Sequence, residues 1–215
     1  MKHYSAVIFD LDGTLLDTLD DLADAVIEAL GTYGYPKRTR EEVRQFVGNG
    51  VRLLMHRALP GGEGNPQFEE VLATFRTYYA SHSQCKTAPY PGILSLLSGL
   101  RERGVRVAVV SNKFDAAVRD LCAHYFGGLV EVAVGESPEV PKKPAPDTVY
   151  RAMRLLGVAP ADCVYVGDSD VDIRTAENAG IPCISVRWGF RDREHLLANG
   201  ASAFAESTDA LAALL

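Results

Sequence analysis

The sequence predicts an α/β fold: a Rossmann-like parallel sheet core with helices on both faces and an inserted all-helical cap domain. Three observations predict it. Short, unbroken apolar runs such as Ala6-Val7-Ile8-Phe9 and Cys163-Val164-Tyr165-Val166 have the look of strands buried on both faces. From Pro91 onward such runs alternate with helical segments, the pattern of a parallel sheet with crossover helices. Between about residues 18 and 86 no such strand occurs, and only helical spacings are found.

Each element follows from its local pattern. The first strand, 6–9, ends in Asp10-Leu11-Asp12-Gly13-Thr14, a polar turn with a glycine. Leu19, Leu22, Ala23, Val26, Ile27 and Leu30 recur at helical spacing, with Gly31 just past the end. Asp17, Asp20, Asp21 and Asp24 read as the solvated acidic face and N-terminal charge of that helix. Thr39 and Glu42 have the spacing of a capping box ahead of Val43, Phe46 and Val47. Val51, Leu54, Met55 and Ala58 make another stripe, and Asn65-Pro66 opens a helix carrying Phe68, Val71, Leu72 and Phe75. Beyond Pro91, a helix through Ile93, Leu94, Leu97 and Leu100 ends at Gly104, and a strand over 105–110 stops at Ser111. A helix is predicted over 115–125, a short strand over 129–134 and a helix over 147–156 closed by Gly157. A strand over 163–166, a helix over 173–179 closed by Gly180 and a strand over 184–186 follow. The division this implies is 1–17 with 88–215 for the core domain and 18–87 for the helical cap.

The composition narrows the function classes. A chain of 215 residues, 47% hydrophobic and 23% charged, can bury a core without disulfides. The net charge of −6 argues against a nucleic acid polymer or an anionic membrane as partner. The apolar runs are too short to span a membrane. Cys85, Cys122, Cys163 and Cys183 form no CxxC pair, which suits a reducing, cytoplasmic setting, and no signal-peptide pattern precedes Asp10. His3, His56, His82, His124 and His195 never pair at metal-ligand spacing.

Four polar features follow strand or loop endings: Asp10-Leu11-Asp12, Ser111-Asn112, Lys143-Pro144 and Asp168-Ser169-Asp170-Val171-Asp172. The strand ends of an open parallel sheet share one edge, so these distant residues can converge. Two carboxylates two residues apart repel unless a cation lies with them. A hard divalent ion such as Mg2+ takes oxygen ligands and keeps several waters. Asp168 and Asp172 add further oxygens, while Lys143 and Ser111 offer donors to an anion. Acidic residues, a lysine and a hydroxyl together fit a metal and a phosphate. Singly, each has a plainer reading as turn, helix cap or solvated lysine, and Asp170 is read as such a cap.

The run Asp10-Leu11-Asp12-Gly13-Thr14-Leu15 resembles the first motif of the haloacid dehalogenase superfamily. Ser111 after Val109-Val110 resembles the second, Lys143 in Lys143-Pro144-Ala145-Pro146 the third, and Gly167-Asp168-Ser169-Asp170-Val171-Asp172 the fourth. They occur in the right order and cover nearly the whole chain. The resemblance implies a phosphatase. Asp10 would be the nucleophile that forms an aspartyl-phosphate, and Asp12 the general acid and then the base. Asp10, the Asp12 backbone carbonyl and Asp168 would hold Mg2+, with Asp172 acting through a bound water or by positioning Asp168. Ser111, the N–H of Asn112 and Lys143 would bind the phosphoryl oxygens. Lys143 rather than Lys142 is chosen because it directly precedes the proline. Thr14 is left between ordering the loop and opening the helix.

The insertion resembles the helical cap of one branch of that superfamily, which selects the substrate. Gly48, Asn49, Gly50 and Arg52 are its candidate specificity residues. Gly48 and Gly50 permit close backbone approach, and Arg52 can meet a carboxylate or a second phosphate, its plainer reading being a surface helix residue. That loop with Leu53-Leu54 and Arg57-Ala58-Leu59, the Ser111-Asn112-Lys113 run and Arg187-Trp188-Gly189-Phe190 resemble phosphoglycolate phosphatases. Trp188-Gly189-Phe190-Arg191 is read as a structural turn or as part of the site rim. The expectation is Mg2+-dependent hydrolysis of a small phosphorylated metabolite by a monomer or homodimer. The alternatives are a pyrophosphatase, nucleotidase or sugar phosphatase of the same superfamily, a phosphoglucomutase-type phosphotransferase, or a binding module on the same fold. The mutase branch usually carries Glu-Asp in the fourth motif, where this chain has Gly167-Asp168-Ser169.

Overall fold

The structure, a computed structural model, describes residues 4–215; His3 lies outside the described residues. Its contacts divide the chain into two compact units, Met1–Leu16 with Pro89–Leu215, and Asp17–Ala88.

The larger unit is built on six parallel strands. They are β1 (Ala6–Phe9), β4 (Arg106–Phe114), β5 (Val132–Glu136), β6 (Cys163–Gly167), β7 (Cys183–Val186) and β8 (Phe204–Ala205), in the order β5-β4-β1-β6-β7-β8. The segments β2 (Leu16–Asp17) and β3 (Ala88–Pro89) form a separate two-stranded ribbon where the chain leaves this unit and returns. The helices of this unit are α5 (Ile93–Glu102), α6 (Asp115–Phe126), α7 (Asp147–Leu156), α8 (Asp170–Ala179), α9 (Arg193–Ala198) and α10 (Thr208–Leu214).

Alternation along the strands divides the core between two faces. Val7, Phe9, Val107, Val109, Val164 and Val166 pack with Leu97 and Leu100 of α5, Val118 and Leu121 of α6 and Leu211 of α10. Ala6, Ile8, Ala108, Val110 and Tyr165 pack with Val149, Ala152 and Leu156 of α7 and Ala176 and Ala179 of α8. A central strand covered on both sides needs an apolar residue at every position, which is why these strands read as unbroken runs. Each large aliphatic side chain fully buried here contributes about 1.5–3 kcal/mol.

Some boundaries differ from the pattern-based ones. β4 does not stop at Ser111 but continues to Phe114, which pairs with Glu136 after a shift of register beyond Val110. β5 begins at Val132, because 127–129 form a 3₁₀ turn. α8 begins at Asp170 rather than near Ile173, and Ser169, not Asp170, holds the cap position.

The smaller unit contains α1 (Leu19–Thr32), α2 (Arg40–Phe46), α3 (Val51–Ala58) and α4 (Phe68–His82). The capping box of α2 is present: the Glu42 N–H donates to Thr39 Oγ1 at 3.2 Å and the Thr39 N–H to Glu42 Oε2 at 2.8 Å. Asp21 corrects the reading of a solvated acidic face, since it is buried. Its carboxylate accepts hydrogen bonds from the Lys86 N–H, the Thr87 N–H and the Thr87 hydroxyl at 2.8–3.1 Å. It thereby ties the end of the unit to its first helix.

Candidate active site

The site of interest lies wholly in the larger unit and follows from the place of β1 in its sheet. Phe9 is level with Val109 of β4 and Val166 of β6, so the next residue, Asp10, emerges between two strand ends. The Asp10 N–H donates to the Val166 carbonyl at 2.9 Å. Lys143 enters from the loop between β5 and α7, through a cis peptide bond to Pro144. Its Nζ donates to Asp10 Oδ1 and to Asp172 Oδ1, each at 2.8 Å. Below them the Tyr165 hydroxyl accepts from Lys143 and donates to Asp172 Oδ1, both at 3.0 Å. All four side chains are buried. Lys142, by contrast, lies exposed 4.0 Å from Glu136.

Asp168 directly follows β6 and is held on both oxygens. Thr14 Oγ1 donates to Oδ1 at 3.0 Å and the Phe190 N–H to Oδ2 at 2.7 Å. Trp188 Nε1 in turn donates to the Thr14 carbonyl at 3.0 Å. The segment after β7 is therefore both a turn and a wall of the site. A Cβ on Gly189 would lie 2.2 Å from the Asp168 Cβ, so only glycine lets this segment close on the carboxylate.

Burial raises the Asp10 carboxyl well above the ordinary range, and the neighbouring Asp172 adds to this, while Lys143 opposes it. Burial and Asp172 push Asp168 up to about 7, against the pull of the Phe190 N–H and Thr14. Burial works against the charge of Lys143, but Asp10 and Asp172 outweigh it and raise its pKa. Carboxylates held this way accept a proton or a cation readily.

One carboxylate oxygen from each of Asp10, Asp168 and Asp172 lies within 4.8 Å of the other two. This all-oxygen set fits a hard divalent cation. Asp172 is already engaged on both oxygens, since Oδ2 accepts from the Ser169 N–H at 3.1 Å and its hydroxyl at 2.6 Å. That suits a positioning carboxylate. Asp10 Oδ2 accepts no hydrogen bond among the described residues, and is open to a metal or a phosphorus atom.

Asp12 stands apart from this group. Its carboxylate accepts from Lys113 Nζ at 2.9 and 3.1 Å. Ser111 and Asn112 are buried in the extended end of β4. Ser111 Oγ accepts the Lys113 N–H at 3.2 Å, and Asn112 Nδ2 donates to the Lys143 carbonyl at 3.0 Å. The four insertion residues all lie in the smaller unit. Gly48 and Gly50 have positive φ, and Gly50 precedes α3. Arg52 is ion-paired at 3.1 Å to Glu63 and 2.8 Å to Glu69, and sits over the Phe68 ring.

Tyr165 was read only as a strand residue, and Lys113 and Phe190 only within the Ser111-Asn112-Lys113 run and the Trp188-Gly189-Phe190-Arg191 segment, with no role of their own. A tyrosine inside an aliphatic strand two residues before Gly167-Asp168 is a usable signal for the first. A lysine in a buried strand end is one for the second. Phe190 acts through its backbone, which leaves no signal in residue type.

A sequence model of the haloacid dehalogenase-like hydrolases matches residues 7–186. The chain is 37% identical over 190 residues to phosphoglycolate phosphatase 1 of Pseudomonas aeruginosa, covering 86% of this chain and 70% of that one. It is 36% identical over 214 residues to the plasmid phosphoglycolate phosphatase of Cupriavidus necator, covering 98% and 93%. A crystal structure from Lactobacillus delbrueckii subsp. bulgaricus, assigned provisionally to the phosphoglycolate phosphatases, superposes with a TM-score of 0.95 at 38% identity, covering 100% of this chain and 98% of that one.

Proposed function

The chain belongs to the haloacid dehalogenase-like hydrolases and is a phosphatase, and from that premise we propose that it hydrolyses 2-phosphoglycolate or a closely similar small phosphomonoester through an aspartyl-phosphate on Asp10. The observation that carries the reading is the buried group of Asp10, Lys143, Asp168 and Asp172, with Asp12 two residues beyond the nucleophile.

Asp10 Oδ2 attacks phosphorus as the bond from phosphorus to the alcohol oxygen breaks. Asp12 gives that oxygen its proton, so the alcohol leaves neutral. Asp12 then takes a proton from the water that attacks the acyl-phosphate, which returns Asp10 and releases inorganic phosphate. Lys143, the Ser111 hydroxyl and the Asn112 N–H neutralise charge on the transferring phosphoryl oxygens. Asp10, the Asp12 carbonyl and Asp168 would hold Mg2+, with Asp172 fixing the arrangement. The ion supplies further neutralisation of phosphoryl charge.

The names of the relatives at 36–37% identity favour phosphoglycolate within this class. Gly48, Asn49, Gly50 and Arg52 are proposed to contribute specificity, with Arg52 first having to leave Glu63 and Glu69. No helix among the described residues is long and apolar enough to cross a membrane. Cytoplasmic work as a monomer or homodimer belongs to the same proposal.

The test is phosphate release from a panel of phosphoglycolate, pyrophosphate, nucleotides and sugar phosphates, with Mg2+ and with chelator. Chelator-sensitive release that falls to background in Asp10→Asn is expected, with phosphoglycolate preferred. Isomerisation of a sugar phosphate without phosphate release would overturn the reading.

A further inference from the structure

We propose that Lys113 is a positioning residue for proton transfer: its ammonium keeps the Asp12 carboxylate on the leaving-group side, away from the group of Asp10, Asp168 and Asp172. The proposal rests on the reading of Asp12 as proton donor. The contact is two-pronged, 2.9 Å to Oδ1 and 3.1 Å to Oδ2, which fixes the plane of the carboxylate as well as its distance. It is also shielded, with the lysine side chain 5% and the aspartate side chain 15% exposed. Solvent therefore competes weakly for either charge.

The lysine itself is anchored through its backbone. Its N–H donates to Ser111 Oγ, and the next residue, Phe114, pairs with Glu136 of β5. Gly135 of β5 packs so closely that a Cβ there would lie 2.6 Å from the Lys113 carbonyl. The continuation of β4 past Ser111 is thus a rigid arm that delivers a cation to Asp12.

The arm answers a problem created by the Asp10-Leu11-Asp12 spacing. Lys143 is already occupied by Asp10 and Asp172, and Asp12 follows Asp10 by only two residues. Without a cation of its own, Asp12 would be drawn toward the same positive charges as Asp10. With Lys113 present, each aspartate has a separate lysine from a separate segment. One is kept for phosphorus and the other for the proton.

The experiment compares kcat/KM of Lys113→Met, Lys113→Arg, Asp12→Asn and the wild type on phenyl phosphate, para-nitrophenyl phosphate and phosphoglycolate. The para-nitrophenolate leaving group needs no proton, whereas phenolate and glycolate do. Lys113→Met is expected to lower kcat/KM on phenyl phosphate and phosphoglycolate by about 100-fold, the range of general acid catalysis, and on para-nitrophenyl phosphate by less than about tenfold. Asp12→Asn should show the same selectivity, and Lys113→Arg should restore most of the loss. Melting curves with Mg2+ report whether each variant is folded, and Lys113→Arg against Asp12→Asn carries the comparison if Lys113→Met is not. An equal fall on all three substrates, with Asp12→Asn still selective, would overturn the proposal. A fall confined to phosphoglycolate would also overturn it, because Lys113 would then be binding the substrate carboxylate. Loss of selectivity in Asp12→Asn itself would sink the acid role of Asp12, and this proposal with it.

Discussion

Lys143 is shared by two buried carboxylates, those of Asp10 and Asp172, and its removal leaves both without this counter-charge. Breaking a buried ion pair from one side costs about 3–5 kcal/mol. Lys143→Met should therefore lower the urea midpoint of the metal-free protein by a corresponding amount, and a midpoint unchanged would contradict the charge balance described here. Asp168 makes a pH prediction. Its folded pKa, about 7, lies above the unfolded value of about 4, so the folded chain binds the proton more tightly. The contribution of this group is fully present below the unfolded value and is lost as pH rises through about 7. A cation bound there would replace the proton. Mg2+ should thus raise the melting temperature of the protein more at about pH 8 than at about pH 5.5, as scanning calorimetry would read. At this scale the sequence is most informative where chemistry needs a particular side chain. Asp10 and Asp168 are visible as polar breaks after apolar runs, Lys143 by its place before Pro144, and Asp172 within the acidic run that Asp168 opens. The pairing of Lys113 with Asp12 is not, because nothing in the spacing 12 to 113 tells which lysine a given aspartate will meet.

The elements were legible in proportion to their length and regularity. The capping box of α2 and the strands β1 and β6 follow from local pattern alone. Thr39→Ala should cost about 1 kcal/mol by chemical denaturation, the usual worth of an N-cap. The two-residue strand β8 and the polar end of β4 carry no periodicity, and only pairing with a neighbour defines them. Asp21 misleads for a related reason. Its partners, the backbone at Lys86 and Thr87, lie 65 and 66 residues away. Asp21→Ala would leave buried donors unmet and should destabilise the protein by about 2 kcal/mol. The closing of the Gly189 segment on Asp168 is an element-scale constraint as well. Gly189→Ala should weaken Mg2+ binding at least about tenfold in calorimetric titration, since a methyl there displaces the carboxylate. Unchanged affinity would mean that the segment yields without moving Asp168.

The whole molecule places its first strand at the middle of the six-stranded sheet, with β4 on one side and β6 on the other. The amides of β1, β4 and β6 should accordingly exchange with deuterium more slowly than those of the edge strands β5 and β8. Comparable rates across all strands would argue against a single cooperative core. The α/β class and the inserted helices were readable because an unbroken apolar run and a helical stripe are distinct signals. The strand order was not, because a buried run does not name its neighbour. That order has a consequence for how the chain is made. The helical unit, 17–88, is one uninterrupted stretch, whereas the other unit is split around it. On a translating ribosome the helical unit is complete while β1 has neither of its neighbours. Its first partner, β4, begins at Arg106 and its second, β6, at Cys163. The strand that leads into Asp10 therefore emerges before either of its neighbours and is enclosed only once both have been made, so during synthesis it depends on neighbours not yet translated.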